Sequence, residues 1–291
     1  MKIILSRKGF DSGYGGYPSP ILPNGELISL PIPDFSKDIT YEDLIVSDNI
    51  RYSDIMEDLI GSKIRFENYG KVDICDVGCH FDPDINRKAY ERLPGWYPIF
   101  GQAGAARSHL ANQGVGVGDL FLFFGWFRQT EIVDGKLRYS KEDKQGRHII
   151  YGYLQVGDVH KINTMDAHDW MLYHPHVRRG ATASDGDYVF VASSSLSFNN
   201  NLEGAGMFRY SDDVVLTKDN LSRTKWDLPK SFREVKISYH SKKSWKDGYF
   251  QSAAKGQEFV IEANEEIEKW AKDLVASNVV EASVITLGKN I

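Results

Sequence analysis

Cysteine is scarce in this chain: Cys75 and Cys79 are the only two among 291 residues. Two thiols make neither a disulfide framework nor a complete zinc site. No apolar run is long enough to span a bilayer and nothing at the start resembles a signal peptide, so a cytoplasmic location and no membrane partner are expected. Positive charge is also in short supply, with a formal net charge of −5. A face that tracks duplex phosphates normally makes a domain basic, so no extended basic DNA-binding face is expected. A single nucleotide or one extruded base needs only a few cations and stays open as a ligand. Walker and dinucleotide-binding fingerprints are missing. So are internal repeats, low-complexity stretches and linkers, which predicts one continuous α+β domain over residues 1–291.

What the chain has in quantity is aromatic side chains, 15 Tyr, 15 Phe and 6 Trp, which implies large core contacts, stacking surfaces, or both. Its most informative stretch is the beginning. Ile3, Ile4 and Leu5 read as a short buried strand. Ser6, Arg7, Lys8, Gly9, Phe10, Asp11 and Ser12 follow at once, then Gly13, Gly15 and Gly16. Glycines permit positive φ, so backbone N–H groups here could converge on an anion. Arg7 and Lys8 add positive charge and Asp11 a carboxylate. The competing reading is a tight turn that displays a solvated charge pair.

Further along, Asn24-Gly25 signals a hairpin turn, which nearby prolines restrict to an edge or a covering loop. Residues 40–59 read as a helix that stops at Gly61. In His80-Phe81-Asp82-Pro83-Asp84, an extended chain points His80, Asp82 and Asp84 to one side. Those groups could move protons or bind a divalent ion; alternatively Asp82 or Asp84 caps a helix over 85–92. Residues 102–110 read as a close-packed helix rich in small residues, and His109 as a structural histidine. The run Gly118 to Arg128 is the strongest strand signal, pairing antiparallel with 149–159. His174 and His176 flank Pro175 and could hydrogen-bond a base or phosphate, or ligate a metal, although spacing supplies no third ligand. Tyr188–Ala192 is another strand, and a final helix starts at the cap Asn264. The expected fold is α+β, with a mixed, mostly antiparallel sheet or partly closed barrel and flanking helices.

Several of these pieces resemble the opening and body of the nucleotide modification associated domain 3 family. They are Ser6 to Ser12, Pro18-Ser19-Pro20-Ile21-Leu22-Pro23, Gly101-Gln102, Gly118 to Gly125, His174-Pro175-His176 and Gly256 to Val260. The resemblance implies a role linked to modified nucleic-acid bases, in base-modification or phage-conflict settings, with no settled reaction. A looser likeness, of the Gly118 to Val156 strand pair, is to PUA-like barrels, which include readers of modified bases.

The expected function is therefore an enzyme acting on a nucleotide or a DNA base. Its catalytic candidates are Lys8, Asp11, His80, Asp82 and His174, and its ligand-binding candidates are Ser6, Arg7, Ser12, Gly15, Gly16, Gln102, His176 and Gln257. No residue is assigned as a metal ligand, no cofactor is named, and the partner is a nucleotide or modified base. Replacing Lys8 by Ala is expected to weaken phosphate-bearing ligands and spare the fold. Two alternatives stand beside this reading. One is a non-catalytic reader that stacks an extruded base on Trp126, Phe127 or Tyr153. The other is a metal-dependent hydrolase or nuclease built on His80, Asp82 and Asp84.

Overall fold

The run Leu-Phe-Leu-Phe-Phe at 120–124 has no polar position, so it needs cover on both faces. In the computed structural model, which describes residues 1–47, 49–164, 167–180, 186–253 and 256–280, it forms the middle of a nine-stranded sheet. The strands of that sheet are β1 Ile3–Arg7, β2 Ser19–Ile21, β3 Ile99–Gln102, β4 Leu120–Val133, β5 Lys136–Tyr139, β6 Arg147–Lys161, β7 Tyr188–Ala192, β8 Ala205–Met207 and β9 Glu258–Ile261. The main path runs β9-β1-β4-β6-β7-β3, with β2 and β5 on β4 and β8 on β6. β1 and β2 pair parallel with β4, and the other pairings are antiparallel. The fold is α+β with a mixed, mostly antiparallel sheet.

Two register slips, at Phe123/Phe124 in β4 and at Val156/Asp158 in β6, mark bulges. Bulges bend a strand and increase its twist. The sheet curls accordingly. Phe100 of β3 packs on Phe121 and Phe123 of β4, with ring centroids 4.9 and 5.2 Å apart. The two ends of the path, β3 and β9, approach each other without a backbone ladder. A side chain spans the gap, Gln102 Nε2 donating to Glu258 Oε1 at 2.6 Å. Among the described residues there is no closed barrel; the sheet has an open seam.

The helices are α1 Tyr52–Ile60, α2 Gly104–Asn112, α3 Pro175–Gly180 and α4 Glu265–Asn278. α4 starts where Asn264 Oδ1 accepts from Ile267 N at 3.0 Å, and it buries Ile267, Ala271, Leu274 and Val275 in the main core. α3 is pinned by Val177, which packs with Ile99, Val189 and Val191 on the β3–β7 end of the sheet. α1 is shorter than the pattern at 40–59 predicts. Asp43 Oδ2 accepts from Thr40 N and Oγ1 at 2.7 and 2.8 Å, closing a local turn, and the β-branched Ile45-Val46 then enters a short ribbon. Residues 85–92 form no helix, because the Arg92 guanidinium folds back onto Asp84 and the carbonyl of Asn86. No helix among the described residues is long and apolar enough to cross a membrane.

Candidate functional site

The seam between β9 and β3 collects polar groups from five distant parts of the chain. β1 ends at Arg7, and Gly9, at φ 77°, turns the chain under Ser29 and Leu30, where a Cβ would lie 2.6 Å from Ser29 Oγ. That turn sends Lys8 inward. Its side chain is 9% exposed, with Nζ 3.2 Å from Glu258 Oε1, 3.9 Å from Asp82 Oδ2 and 4.4 Å from the centre of the Phe100 ring. Glu258 reaches this point because β9 pairs antiparallel with β1, placing it opposite Ser6. Ser6 Oγ and Glu258 Oε2 are buried and have no hydrogen-bond partner among the described residues.

Asp82 arrives on an extended segment that runs alongside β3. Asp84 and Ile99 exchange backbone hydrogen bonds, and Gly101 N donates to Asp82 Oδ1 at 2.7 Å. Two histidines approach the carboxylate from the start of α3. His174 Nε2 lies 3.2 Å from Oδ1 and His176 Nε2 3.7 Å from Oδ2. His174 is fully buried, and its approach is misaligned for hydrogen bonding, so both of its ring nitrogens lack a hydrogen-bond partner among the described residues. Burial alone would raise the Asp82 pKa. The nearby His174, His176 and Lys8 outweigh it and hold the carboxyl well below the ordinary range, so Asp82 is an ionised group in a dry setting.

The His176 side chain packs against Gly101, where a Cβ would come within 2.3 Å of its ring. Its Nδ1 is 2.7 Å from Asp187 Oδ2, which also accepts from Arg179 Nη2 at 2.9 Å. Burial pushes the His176 imidazole down to about 4, against the pull of Asp187 and Asp82. His80 completes the group. Its Nε2 is 3.1 Å from His176 Nε2, and its Nδ1 is 3.3 Å from Asp34 Oδ2. The His80 side chain is 18% exposed, the most open ring of the three. A cavity of about 30 Å³ adjoins Asp82, lined also by Ser29, Tyr52, Phe81 and Tyr151, room for roughly one water. A larger groove of about 430 Å³ beside Trp270, Asp212 and Thr217 contains none of these groups.

A family model described as nucleotide modification associated domain 3 matches residues 2–262, a span that takes in every residue of the seam cluster. The chain belongs to that family. No curated protein and no solved structure matches it. Family membership ties the chain to nucleotide modification in general, and α4 lies outside the matched span.

Of the residues that sequence reasoning singles out, Lys8, His80, Asp82, Gln102, His174 and His176 meet at the seam. Gln257 borders it: its carbonyl accepts from Arg7 N at 2.8 Å and its side chain lies 3.4 Å from that of Gln102. Ser6 lies beneath, in β1. Asp11 serves its own loop instead, Oδ1 accepting from Gly13 N and Tyr14 N at 2.7 and 2.8 Å. The N–H groups of Gly15 and Gly16 donate to Arg65 O and Asp11 O, and a Cβ on Gly15 would collide with the Phe10 ring. Those glycines thus serve packing, and their amides are already donated within the protein. Ser12 is exposed, and its carbonyl accepts from Arg65 Nη1. Burial lowers the Arg7 pKa, against the pull of Asp11 and Glu258.

Asp84 does not join His80 and Asp82. It is fully buried in a second network, paired with Arg92 and Tyr173, while Trp96 Nε1 donates to Tyr173 Oη at 2.8 Å. The bidentate guanidinium satisfies it there. Phe127 and Tyr153 are buried in the core, and the Arg223 guanidinium covers Trp126 at 4.0 Å, so these three do not wall an open pocket. An exposed aromatic group does exist elsewhere. Phe35, next in sequence to Asp34, is 55% exposed and stacks on Phe66 at 4.5 Å, with Tyr69, 64% exposed, edge-on at 4.7 Å. Asp34, Asp187, Glu258, Phe35 and Tyr69 were not foreseen as site residues. Isolated acids and aromatics carry no local signal; the change from polar to apolar across Gly256 to Ile261 is the one hint that Glu258 begins a buried strand.

Proposed function

We propose that this protein is an enzyme that acts on a nucleotide or a nucleic-acid base at the seam, with Lys8, His80, Asp82 and His174 as its reacting groups. Gln102, His176 and Gln257 serve as binding groups. The observation that carries this reading is the buried Asp82 carboxylate, which has two histidines and a lysine within 3.2 to 3.9 Å. Burying such a group costs stability that an apolar core would not lose, and perturbed, clustered ionisable groups concentrate where proton transfer is needed. His80, the ring that solvent reaches, exchanges the proton with substrate. Asp82 stabilises the histidines as they charge, and Lys8 offsets negative charge that develops on the substrate. The exposed Phe35 and Tyr69 rings, next to Asp34, offer a base a surface to stack on.

The test is a melting screen with nucleoside mono- and triphosphates, modified nucleosides and short single strands. A ligand specific to the folded state raises the apparent stability. Once a ligand is found, Phe35→Ala weakens it if it carries a base and leaves inorganic phosphate unaffected. Asp82→Asn and His80→Gln abolish conversion. A protein whose melting no nucleotide, nucleoside or strand shifts, or whose Asp82→Asn variant turns over like wild type, does not work this way.

A further inference from the structure

The second-sphere partners of His80 and His176 bear on a question that nucleotide chemistry leaves open. A carboxylate has no proton to give, so the 2.7 Å approach of Asp187 to His176 Nδ1 places the proton on that nitrogen, over the longer 3.3 Å contact from Arg179 Nη2. Asp34 does the same for His80 Nδ1. Asp187 Oδ2 also accepts from Arg179 Nη2 at 2.9 Å, an ion pair that suits the carboxylate without a proton. With both Nδ1 atoms protonated, both Nε2 atoms present lone pairs, and they face each other across 3.1 Å. Two lone pairs at that distance repel unless a cation lies between or beside them. The Asp82 carboxylate completes the set: one ligand atom from each of His80, Asp82 and His176 falls within 4.8 Å of the others.

We propose that His80 Nε2, His176 Nε2 and the Asp82 carboxylate bind one divalent first-row transition-metal ion, zinc or ferrous iron in chemical character. Imidazole nitrogen favours these ions over magnesium and calcium, which take oxygen ligands. Bonds of about 2.05 Å in a tetrahedral site put ligand atoms roughly 3.3 Å apart. The His80–His176 separation of 3.1 Å already fits, and loading draws the Asp82 side inward. The outer groups have the arrangement that orients metal-bound histidines, each ring nitrogen backed by a carboxylate. Gly101 N holds Asp82 Oδ1, and Glu258 holds Lys8 Nζ, the nearest competing cation, at 3.2 Å against 3.9 Å from Asp82. Two histidines and one carboxylate would leave room for a further ligand on the ion, and His80, 18% exposed, is the most open of the three side chains. There it would polarise an oxygen of substrate or water. The set differs from the one that spacing offers, His80, Asp82 and Asp84, because Asp84 is committed to Arg92.

The inference rests on the same cluster as the proposed function but changes one role there: with the ion bound, His80 holds it rather than exchanging a proton with substrate, and the test needs no nucleotide. Full-length protein purified without chelator is analysed for metals. The chelated protein is then titrated with zinc by calorimetry and with cobalt by visible absorption. One ion per chain is expected, with a cobalt band that zinc abolishes. His80→Ala, at the partly exposed ring, weakens zinc binding at least tenfold. Asp34→Asn and Asp187→Asn weaken it by roughly 10–100-fold, as second-sphere changes do. His160→Ala, on a histidine outside the ligand set and paired with Asp158, binds like wild type. Wild-type protein that takes up neither ion, or His80→Ala protein that binds as tightly as wild type, overturns the proposal; in the first case a shared proton relieves the facing nitrogens. Either failure leaves the nucleotide reading to be decided by the melting screen on metal-free protein.

Discussion

Lys8 carries a charge into a space that water barely reaches, where Glu258 and Asp82 balance it. Removing one member of a buried ion pair strands the other, which costs about 3–5 kcal/mol. Lys8→Ala is therefore expected to lower stability by that order in urea melts, in contrast to the fold-neutral effect that the sequence suggests. Lys8→Met combined with Glu258→Gln recovers most of the loss, because it removes both charges and keeps the bond to Gln102. A double variant no more stable than Lys8→Ala would show that the pair is not what matters. His148 makes a second case. Burial, with Arg7 and Arg223 nearby, pushes its imidazole from 6.5 down to about 3, and Trp226 Nε1 donates to its Nδ1 at 3.1 Å. The folded state takes up this proton less readily than the unfolded one. The stabilisation is complete above 6.5 and is lost as pH falls toward 3. Between about pH 7.5 and about pH 5 the loss is about 2 kcal/mol. His148→Gln flattens that part of the urea-stability profile; an unchanged slope would assign it to other groups.

Elements hold these residues in place, and glycines and caps decide how well. At Gly101 in β3, a methyl group would sit 2.3 Å from the His176 ring. Gly101→Ala is expected to cost about 1–3 kcal/mol through overpacking and to shift the His176 ring resonances in NMR. Unmoved resonances would mean that the strand, not the ring, gives way. α4 offers the opposite case. Asn264→Ala removes its N-terminal cap and costs about 1 kcal/mol, while ligand binding at the seam stays as it was, since α4 contributes no residue there. At this scale much was legible. The runs at 118–128 and 149–159 read as paired strands because their middles, 120–124 and 149–154, carry no charged residue, as burial on both faces requires. Asn264 with Glu265 and Glu266 reads as a helix start. The helix at 40–59 misled because Thr40 and Asp43 form a cap-like pair that closes a turn instead. Asp11 misled too, although Asp-Ser-Gly is a turn signature in which the carboxylate bonds its own backbone.

At the scale of the whole molecule, the curled sheet sets the site. Its path ends at β3 and β9, and the hydrogen bond from Gln102 to Glu258 spans the gap in place of a ladder. Gln102→Ala removes that link and leaves Glu258 with one partner fewer. Backbone amides of β3 and β9 are then expected to exchange faster with solvent, while those of β4 and β6 keep their protection. Uniform acceleration, or none, would show that the seam is held by something other than this side chain.

By itself the sequence determined the α+β class, the central strands, the late helix and the family, because these rest on local patterning and short motifs. It also marked Lys8, His80, Asp82, His174 and His176 by residue type. The tertiary structure alone decided that they share one seam, that Asp84 and Asp11 lie apart from it, and that Asp34, Asp187 and Glu258 stand behind it. The reason is physical: a carboxylate's partner depends on which distant strand end or helix start comes within about 3 Å, and neighbouring residues do not encode that distance.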